Sequence, residues 1–392
     1  MKHILFIISI LSFSFQLSAQ DAMEKTLTEI ERNNTTLEAL RQDMKAQKIG
    51  NRTDIFLQNP EVAFNYLWGT PSVIGDRRDM SISQTFDFPT AYRYKNQLSR
   101  LKNEQVELEY QKQRMNILLE TKLVCFDLIY TNALLAELSK RLAHAQSIDR
   151  SFKLKFEKGD TNILEYNKAK LNLLNVNREL ESLTIERSAL LSALTRLNGG
   201  NVLDFTQSAY QMTELPADFD EWYVLAEQRN PSLGWLKKEV EMSQRQADLN
   251  RAMSLPTFQT GYMSEQVAGE QFQGFTLGMS IPLWENKNKV KYARANVLAL
   301  ESRTANHQLQ FYSHLKTLHS KTVALQQQVS DYRTALQSID NTELSKKALD
   351  YGEISLINYM VEFSLYYESV DKLLELEREM NKANAELNQY QE

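Results

Sequence analysis

Two glycines, each alone in a long stretch with no other helix breaker, constrain this chain more than any other feature. Gly159 is the only glycine between residues 90 and 198, and no proline interrupts that span. The stretch Lys158-Gly159-Asp160-Thr161-Asn162-Ile163-Leu164-Glu165-Tyr166 returns 193 positions later as Tyr351-Gly352-Glu353-Ile354-Ser355-Leu356-Ile357-Asn358-Tyr359. Gly352 is in turn the only glycine from 283 to the end, again with no proline. A glycine at such a place relieves the steric cost of a left-handed helix C-cap, and the small polar residues after it cap the returning helix. The spacing predicts two long helical hairpins, each folded once.

A chain of 392 residues could hold two or three ordinary domains, but the recurrence points to one duplicated unit. The net charge is only −5, with 45 basic against 50 acidic side chains. That gives no electrostatic case for nucleic acid. Residues 1–20 read as a cleaved export signal: Lys2 and His3, an apolar run from Ile4 to Phe15, then Leu17-Ser18-Ala19-Gln20. No later run approaches the length of a membrane-spanning helix. The one cysteine, Cys125, sits in an apolar run and reads as a buried structural thiol. It allows no intrachain disulfide and is far from the signal junction, so packing or partners must hold an exported chain of this kind.

Taken in order, 21–200 forms a first repeat, 201–220 an irregular connector and 221–392 a second repeat. Each opens with an amphipathic helix, from Asp21 to about Gly50 and from 221 to about Met253, and Glu31–Leu40 aligns with Glu227–Leu236. The period then switches to two. Strands are predicted at about 60–69 and 79–88, and at about 256–265 and 272–282, with alternating apolar residues such as Val62, Phe64, Tyr66 and Trp68. Apolar and aromatic groups on one face, with small polar groups on the other, fit a lipid-facing wall around an aqueous lumen. They fit equally a soluble antiparallel sheet with one wet face. Each strand pair ends at a proline, Pro89 or Pro282, placed to open a helix and act as a strand-to-helix hinge. Helical hairpins follow over 90–198 and 283–390. The outgoing arm of the first is long enough for roughly 100 Å of helix, and Leu101, Leu108 and Met115 repeat by seven as in coiled coils.

Four strands cannot close a barrel, and lipid does not tolerate an open sheet edge. If the strands are in a membrane, identical protomers must share one barrel. Three copies would supply twelve strands.

The order of signal, helix, strand pair and long helical hairpin, repeated once, resembles the outer-membrane efflux family typified by TolC over essentially the whole mature chain. The residues that carry the resemblance are Phe88-Pro89 and Ile281-Pro282-Leu283-Trp284 at the strand ends and the two glycine turns. It implies a mainly α fold with a membrane β part: a homotrimeric 12-stranded barrel in the outer membrane and a helical tunnel through the periplasm. The tunnel tips would meet a periplasmic adaptor (membrane fusion protein) and, through it, an inner-membrane pump of an efflux or type I secretion system. The connector is short and the C-terminal extension slight, so a full belt around the tunnel is not expected.

On this resemblance Lys158, Gly159, Asp160, Thr161, Asn162, Tyr351, Gly352, Glu353, Ile354 and Ser355 lie at the periplasmic tips, as adaptor contact or gate. Asp160 and Glu353 could ring the pore with negative charge. Read only as local structure, the glycines turn a hairpin and the polar residues cap helices. Tyr66, Trp68, Tyr262 and Trp284 are candidates for interfacial aromatic girdles, or are plain core. His307, His314 and His319 share a helix but are spaced too widely to chelate a metal. No catalytic constellation or cofactor motif stands out. The rival to the channel is a soluble periplasmic coiled-coil scaffold or pump adaptor with no barrel.

Overall fold

The computed structural model describes residues 22–211, 215–216, 218–284, 286–338 and 342–391. The export signal therefore lies outside the described residues. In chain order come α1 (residues 22–33), α2 (Thr35–Gly50), β1 (Glu61–Leu67), β2 (Arg77–Phe86), α3 (Pro89–Glu157) and α4 (Ile163–Leu197). After the connector follow α5 (Phe219–Arg229), α6 (Pro231–Ala252), β3 (Thr257–Val267), β4 (Glu270–Ser280), α7 (Lys289–Ser338), α8 (Thr342–Asp350) and α9 (Leu356–Asn388).

Both opening helices are broken where the sequence predicts continuity. The break falls at Asn34 in one and Asn230 in the other, and each asparagine caps the next helix. The Asn34 side chain accepts the Leu37 amide at 2.9 Å, and that of Asn230 accepts the Ser232 amide at 2.8 Å. Asparagine suits this position because its short carbonyl reaches an amide that would otherwise lack a partner, and Pro231 fits the first turn after Asn230.

The chain divides into two compact units that do not follow the sequence repeats. One comprises 1–39, 113–229 and 311–392; the other comprises 40–112 and 230–310.

The first unit is helical. One apolar cluster joins Ile30, Cys125, Leu128, Ile129, Leu194, Leu197 and Phe205, all nearly inaccessible. The connector is irregular as expected, but it is strapped down. Asn132 donates to the carbonyls of Phe205 (3.2 Å) and Gln207 (2.7 Å), and Tyr210 donates to the Phe126 carbonyl (2.9 Å). Cys125 is fully buried, and desolvation pushes its thiol up to about 12, which suits a structural role.

The second unit holds a four-stranded antiparallel sheet in the order β1-β2-β3-β4. Beside it lie α2, α6 and the near ends of α3 and α7. Glu104 of α3 pairs with Lys238 of α6 at 2.9 Å, and Glu107 pairs with Lys48 of α2 at 2.9 Å. No described helix is long and apolar enough to cross a membrane.

Candidate functional site

The sheet has two chemically distinct faces because its registers align residues of like character. Val62, Ile82, Tyr262 and Phe275 form one row across all four strands, with Phe64 opposite Met80 on one side and Thr260 opposite Leu277 on the other. Most of this face is bare within the chain: Phe275 and Leu277 are 88% and 87% exposed and Phe64 is 69% exposed, while Phe86 at its helix end is half-buried. From Met80 to Phe86 the apolar band runs about 20 Å at about 3.4 Å per residue, close to the height of a lipid-facing band on a membrane strand. At the turn end it stops at a polar row of Tyr66, Arg78, Gln266 and Gln271. The Arg78 guanidinium lies 5.4 Å from the centre of the Tyr66 ring.

The opposite face is mainly polar, with Leu67, Met263, Val267 and Phe272 as apolar exceptions toward its turn end. Ser81, Ser83, Thr85, Gln259 and Thr276 point there, and Gln259 donates to Ser83 at 3.2 Å. Near the turn end Arg77 bridges Asp79 (2.8 Å) and Glu265 (3.1 Å) across two strands.

The proposed girdle residues separate. Trp68 and Trp284 are each 80% exposed, at opposite ends of the sheet, and Tyr66 meets Trp68 edge to face at 5.7 Å. Tyr262 differs: it lies midway along β3, five residues from either end. It is therefore part of the apolar band rather than of its border.

The two prolines also separate. Pro89 starts α3 as expected, whereas α7 begins only at Lys289, so Pro282 does not sit in a helix first turn. Within the first junction Lys95 reaches the buried carboxylate of Asp87 at 2.7 Å, and the Asp87 amide donates to the Tyr92 hydroxyl at 3.0 Å.

In the helical unit the two glycine turns have the same hydrogen-bond pattern. The Gly159 amide donates to the Phe156 carbonyl (3.0 Å) and that of Asp160 to Lys155 (2.8 Å). Correspondingly, Gly352 donates to Leu349 (3.1 Å) and Glu353 to Ala348 (2.8 Å). This six-to-one and five-to-two pairing requires a left-handed residue, and φ is +80° at Gly159 and +74° at Gly352. The returning helices are capped by Asn162, accepting the Glu165 amide, and by Ser355, accepting the Asn358 amide. Lys158, Asp160, Tyr351 and Glu353 are exposed, and Thr161 and Ile354 are half-buried. Beneath both turns lies one apolar floor in which Phe152 and Ala169 of the first hairpin pack with Leu349, Leu356 and Tyr359 of the second.

A groove of about 400 Å³ lies along these hairpins, lined by residues that sequence reasoning passed over. Arg141, 6% exposed, pairs with Asp371 through both terminal nitrogens, donates to the Tyr367 carbonyl at 3.3 Å and stacks over the Tyr367 ring at 4.5 Å. Burial, the largest influence, pulls the Arg141 pKa down, but the hydrogen bond and charge of Asp371 outweigh it and hold it up. His144 touches two tyrosine hydroxyls, Tyr367 at Nδ1 (3.1 Å) and Tyr359 at Nε2. Burial and then Lys346 lower its pKa, and burial raises that of Tyr367 to about 12. These partners are more than 200 positions apart in sequence, so no local spacing reveals them.

Among the described residues no three His, Cys, Asp or Glu side chains gather as metal ligands. His319 instead lies against Phe219 and the Pro216 carbonyl.

A continuous antiparallel sheet with a bare apolar face, joined to helical hairpins, is the fold of the TolC-like outer-membrane channels. The chain superposes on the outer membrane channel CmeC of Campylobacter jejuni with a TM-score of 0.77, at 15% identity, covering 94% of this chain and 85% of that one. For CusC, whose structures concern folding and transmembrane channel formation, the values are 0.78, 15%, 94% and 91%. For the outer membrane protein VceC of Vibrio cholerae they are 0.76, 12%, 94% and 95%. No family model and no curated protein sequence matches the chain.

Proposed function

We propose that the chain is an outer-membrane channel: a passive trimeric conduit in a tripartite efflux or type I secretion system. The observation that carries this reading is the sheet, which combines an uncovered apolar face with two open edges. The outer edges of β1 and β4 have no partner strand among the described residues. In water such a surface would aggregate, and in lipid its unpaired amides and carbonyls would each cost several kcal/mol. Three copies pairing β4 of one with β1 of the next remove every edge and turn the polar face toward a water-filled lumen. Trp68 at one rim and Trp284 at the other are placed as interfacial anchors. Pro89 and Pro282 mark the passage from barrel to tunnel.

The glycine turns then serve as periplasmic tips that receive an adaptor, with Asp160 and Glu353 around the aperture. Space supports this reading, since a Cβ added at Gly159 or Gly352 would meet nothing within 4 Å. These glycines leave backbone open to a partner without needing room for their own packing. The conduit acts with an inner-membrane pump, which supplies the energy.

Cell fractionation tests the reading. The expected result is a trimer in the outer-membrane fraction that dissociates on heating and conducts ions in a planar bilayer. A monomer in the soluble periplasm would instead establish the scaffold. Gly159→Leu combined with Gly352→Leu is expected to abolish transport while the trimer persists in the membrane. Loss of the trimer in that variant would leave the glycines a purely structural role.

A further inference from the structure

The mainly polar face of the sheet changes in side-chain size along its length, and the registers sort it into levels. Nearest the turns stand Leu67, Arg77, Val267 and Glu270, and one level further in stand Asn65, Asp79, Glu265 and Phe272. None of these is small. Toward the helix end β4 carries Gly274, Thr276, Gly278 and Ser280 on this face, and β2 carries Ser81 and Ser83. Met263, Gln259 and Glu61 are the larger members there.

Gly274 and Gly278 are the informative residues. A glycine inside a strand gives up packing and backbone order, so it is expected only where φ is positive or a neighbour leaves no room. Neither condition holds here. Neither residue has a positive φ. A Cβ at Gly274 would meet nothing within 4 Å, and one at Gly278 would meet only the Gln259 side chain, at 3.4 Å, an ordinary contact. What the missing side chains leave is open space in front of β4.

At the turn end that space is filled instead. Phe272 and Leu67 stand 62% and 51% exposed on the same face, and Arg77 fixes their surroundings by bridging Asp79 and Glu265 across β2 and β3. The outer face turns polar at this height, in the row of Tyr66, Arg78, Gln266 and Gln271. Polar outside with apolar residues inside is the reverse of the pattern lower down. It puts these levels at the rim, past the lipid-facing band.

We propose that the outer mouth of the barrel is a neck, built by Phe272 and Leu67 of each copy, which sets the width of what leaves the channel. The inference rests on the trimeric channel reading and adds the class of solute that can pass. Twelve strands about 4.8 Å apart and tilted by about 40° form a backbone ring roughly 24 Å across. Phe272 side chains reaching in from three copies take up about half of it and leave on the order of 10 Å, the width of a single helix. The glycine levels keep nearly the full width. Solutes no wider than one helix leave through such a mouth, and folded domains do not.

The test labels thiols on intact cells with two reagents, a small sulfonated maleimide and a maleimide carried on a cyclodextrin, a rigid ring wider than the neck and narrower than the glycine levels. Cysteines are placed singly by Glu270→Cys, outside the neck, and Thr276→Cys, inside it; Cys125 is buried and stays unreactive. Glu270→Cys is expected to take both reagents and Thr276→Cys only the small one. Adding Phe272→Ser with Leu67→Ser should admit the ring to Thr276→Cys. A further Gly274→Phe, which refills the level between, should exclude it again. Ring labelling of Thr276→Cys with Phe272 and Leu67 in place overturns the neck and leaves the channel reading standing, as does exclusion that persists once both are serine. If neither cysteine takes either reagent in cells that hold the chain, the channel reading falls with it.

Discussion

The two halves of the chain are alike at their helical turns and unlike at their strand-to-helix junctions. At the turns, hydrogen bonds, left-handed glycine and side-chain cap recur in both halves. At the junctions, Phe88-Pro89 leads straight into α3, while after Ile281-Pro282 the chain runs to Lys289 before α7 starts. The difference lies in what anchors the first helical turns. In the first half Asp87, 6% exposed, holds Lys95 two turns into the helix and offers its amide to Tyr92. At the same offset the second half has Ser280 and Asn288, which cannot form that ion pair. A proline permits a helix to begin but does not oblige it; a charge pair spanning its first turns supplies the driving force.

The pair of helix-splitting asparagines is expected to separate the halves most. Asn34 caps α2 and also donates to the Leu197 carbonyl at 2.7 Å in a buried site, whereas among the described residues the side chain of Asn230 bonds its local cap amides. Asn34→Ala should cost about 3 kcal/mol, a cap plus a stranded buried carbonyl. Asn230→Ala should cost about 1 kcal/mol. Thermal unfolding of the two variants checks this, and equal losses would show that the halves are more alike here than the bonding implies.

Next in size is the first junction. Lys95→Met leaves the Asp87 carboxylate buried without its cation and should cost about 2 kcal/mol. Asn288→Met at the matching place breaks no ion pair but puts methionine where φ is +65°, a left-handed position that asparagine tolerates better, and should cost about 1 kcal/mol. Hydrogen exchange of the amides at 90–95 is the direct readout, since the α3 start should fray only in the first variant.

The glycine turns should then show the likeness. Alanine at Gly159 or Gly352 meets no atom, so each loses only the price of a left-handed L-residue, about 1–2 kcal/mol. Unequal shifts in unfolding temperature would mean that one turn is held by more than its own backbone.

What could be read from sequence follows the same division. Period-two alternation and lone glycines are local signals, so the four strands, the turns and the long helices were legible within a few residues. The helix splits carried a signal as well, Asn230-Pro231, but an unbroken apolar stripe concealed it at Asn34, which has no proline after it. The delayed start of α7 was hidden because Pro282 satisfies the rule for a helix start while lacking the ion pair. Tyr262 read as interfacial because its alternation with Phe258 and Thr260 was visible, whereas its place at mid-strand depends on where the strand ends. The Arg141–Asp371 and His144–Tyr359 contacts join residues more than 200 positions apart, beyond any periodic pattern.

The smallest effect concerns the groove, whose histidine has no counterpart in the second repeat: at the 191 offset His144 corresponds to Ala335. His144 faces Arg141 and Asp371 on one side, Glu179 and Glu368 along the groove, and Lys346 from α8. Burial and then Lys346 lower its pKa below the ordinary value of 6.5. The unfolded chain therefore takes up a proton at a pH where the folded chain still resists. The contribution of neutral His144 is fully present above about pH 6.5 and is lost as pH falls through its folded value, at no more than about 1.4 kcal/mol per pH unit. His144→Gln, which keeps an amide between the two tyrosines without titrating, should remove that component. Unfolding temperature measured from pH 7.5 to 5 would then fall less steeply in His144→Gln than in wild type. Parallel slopes for wild type and His144→Gln would mean that the groove opens to water enough to accept the charge, and that the two halves differ less there than their bonding indicates.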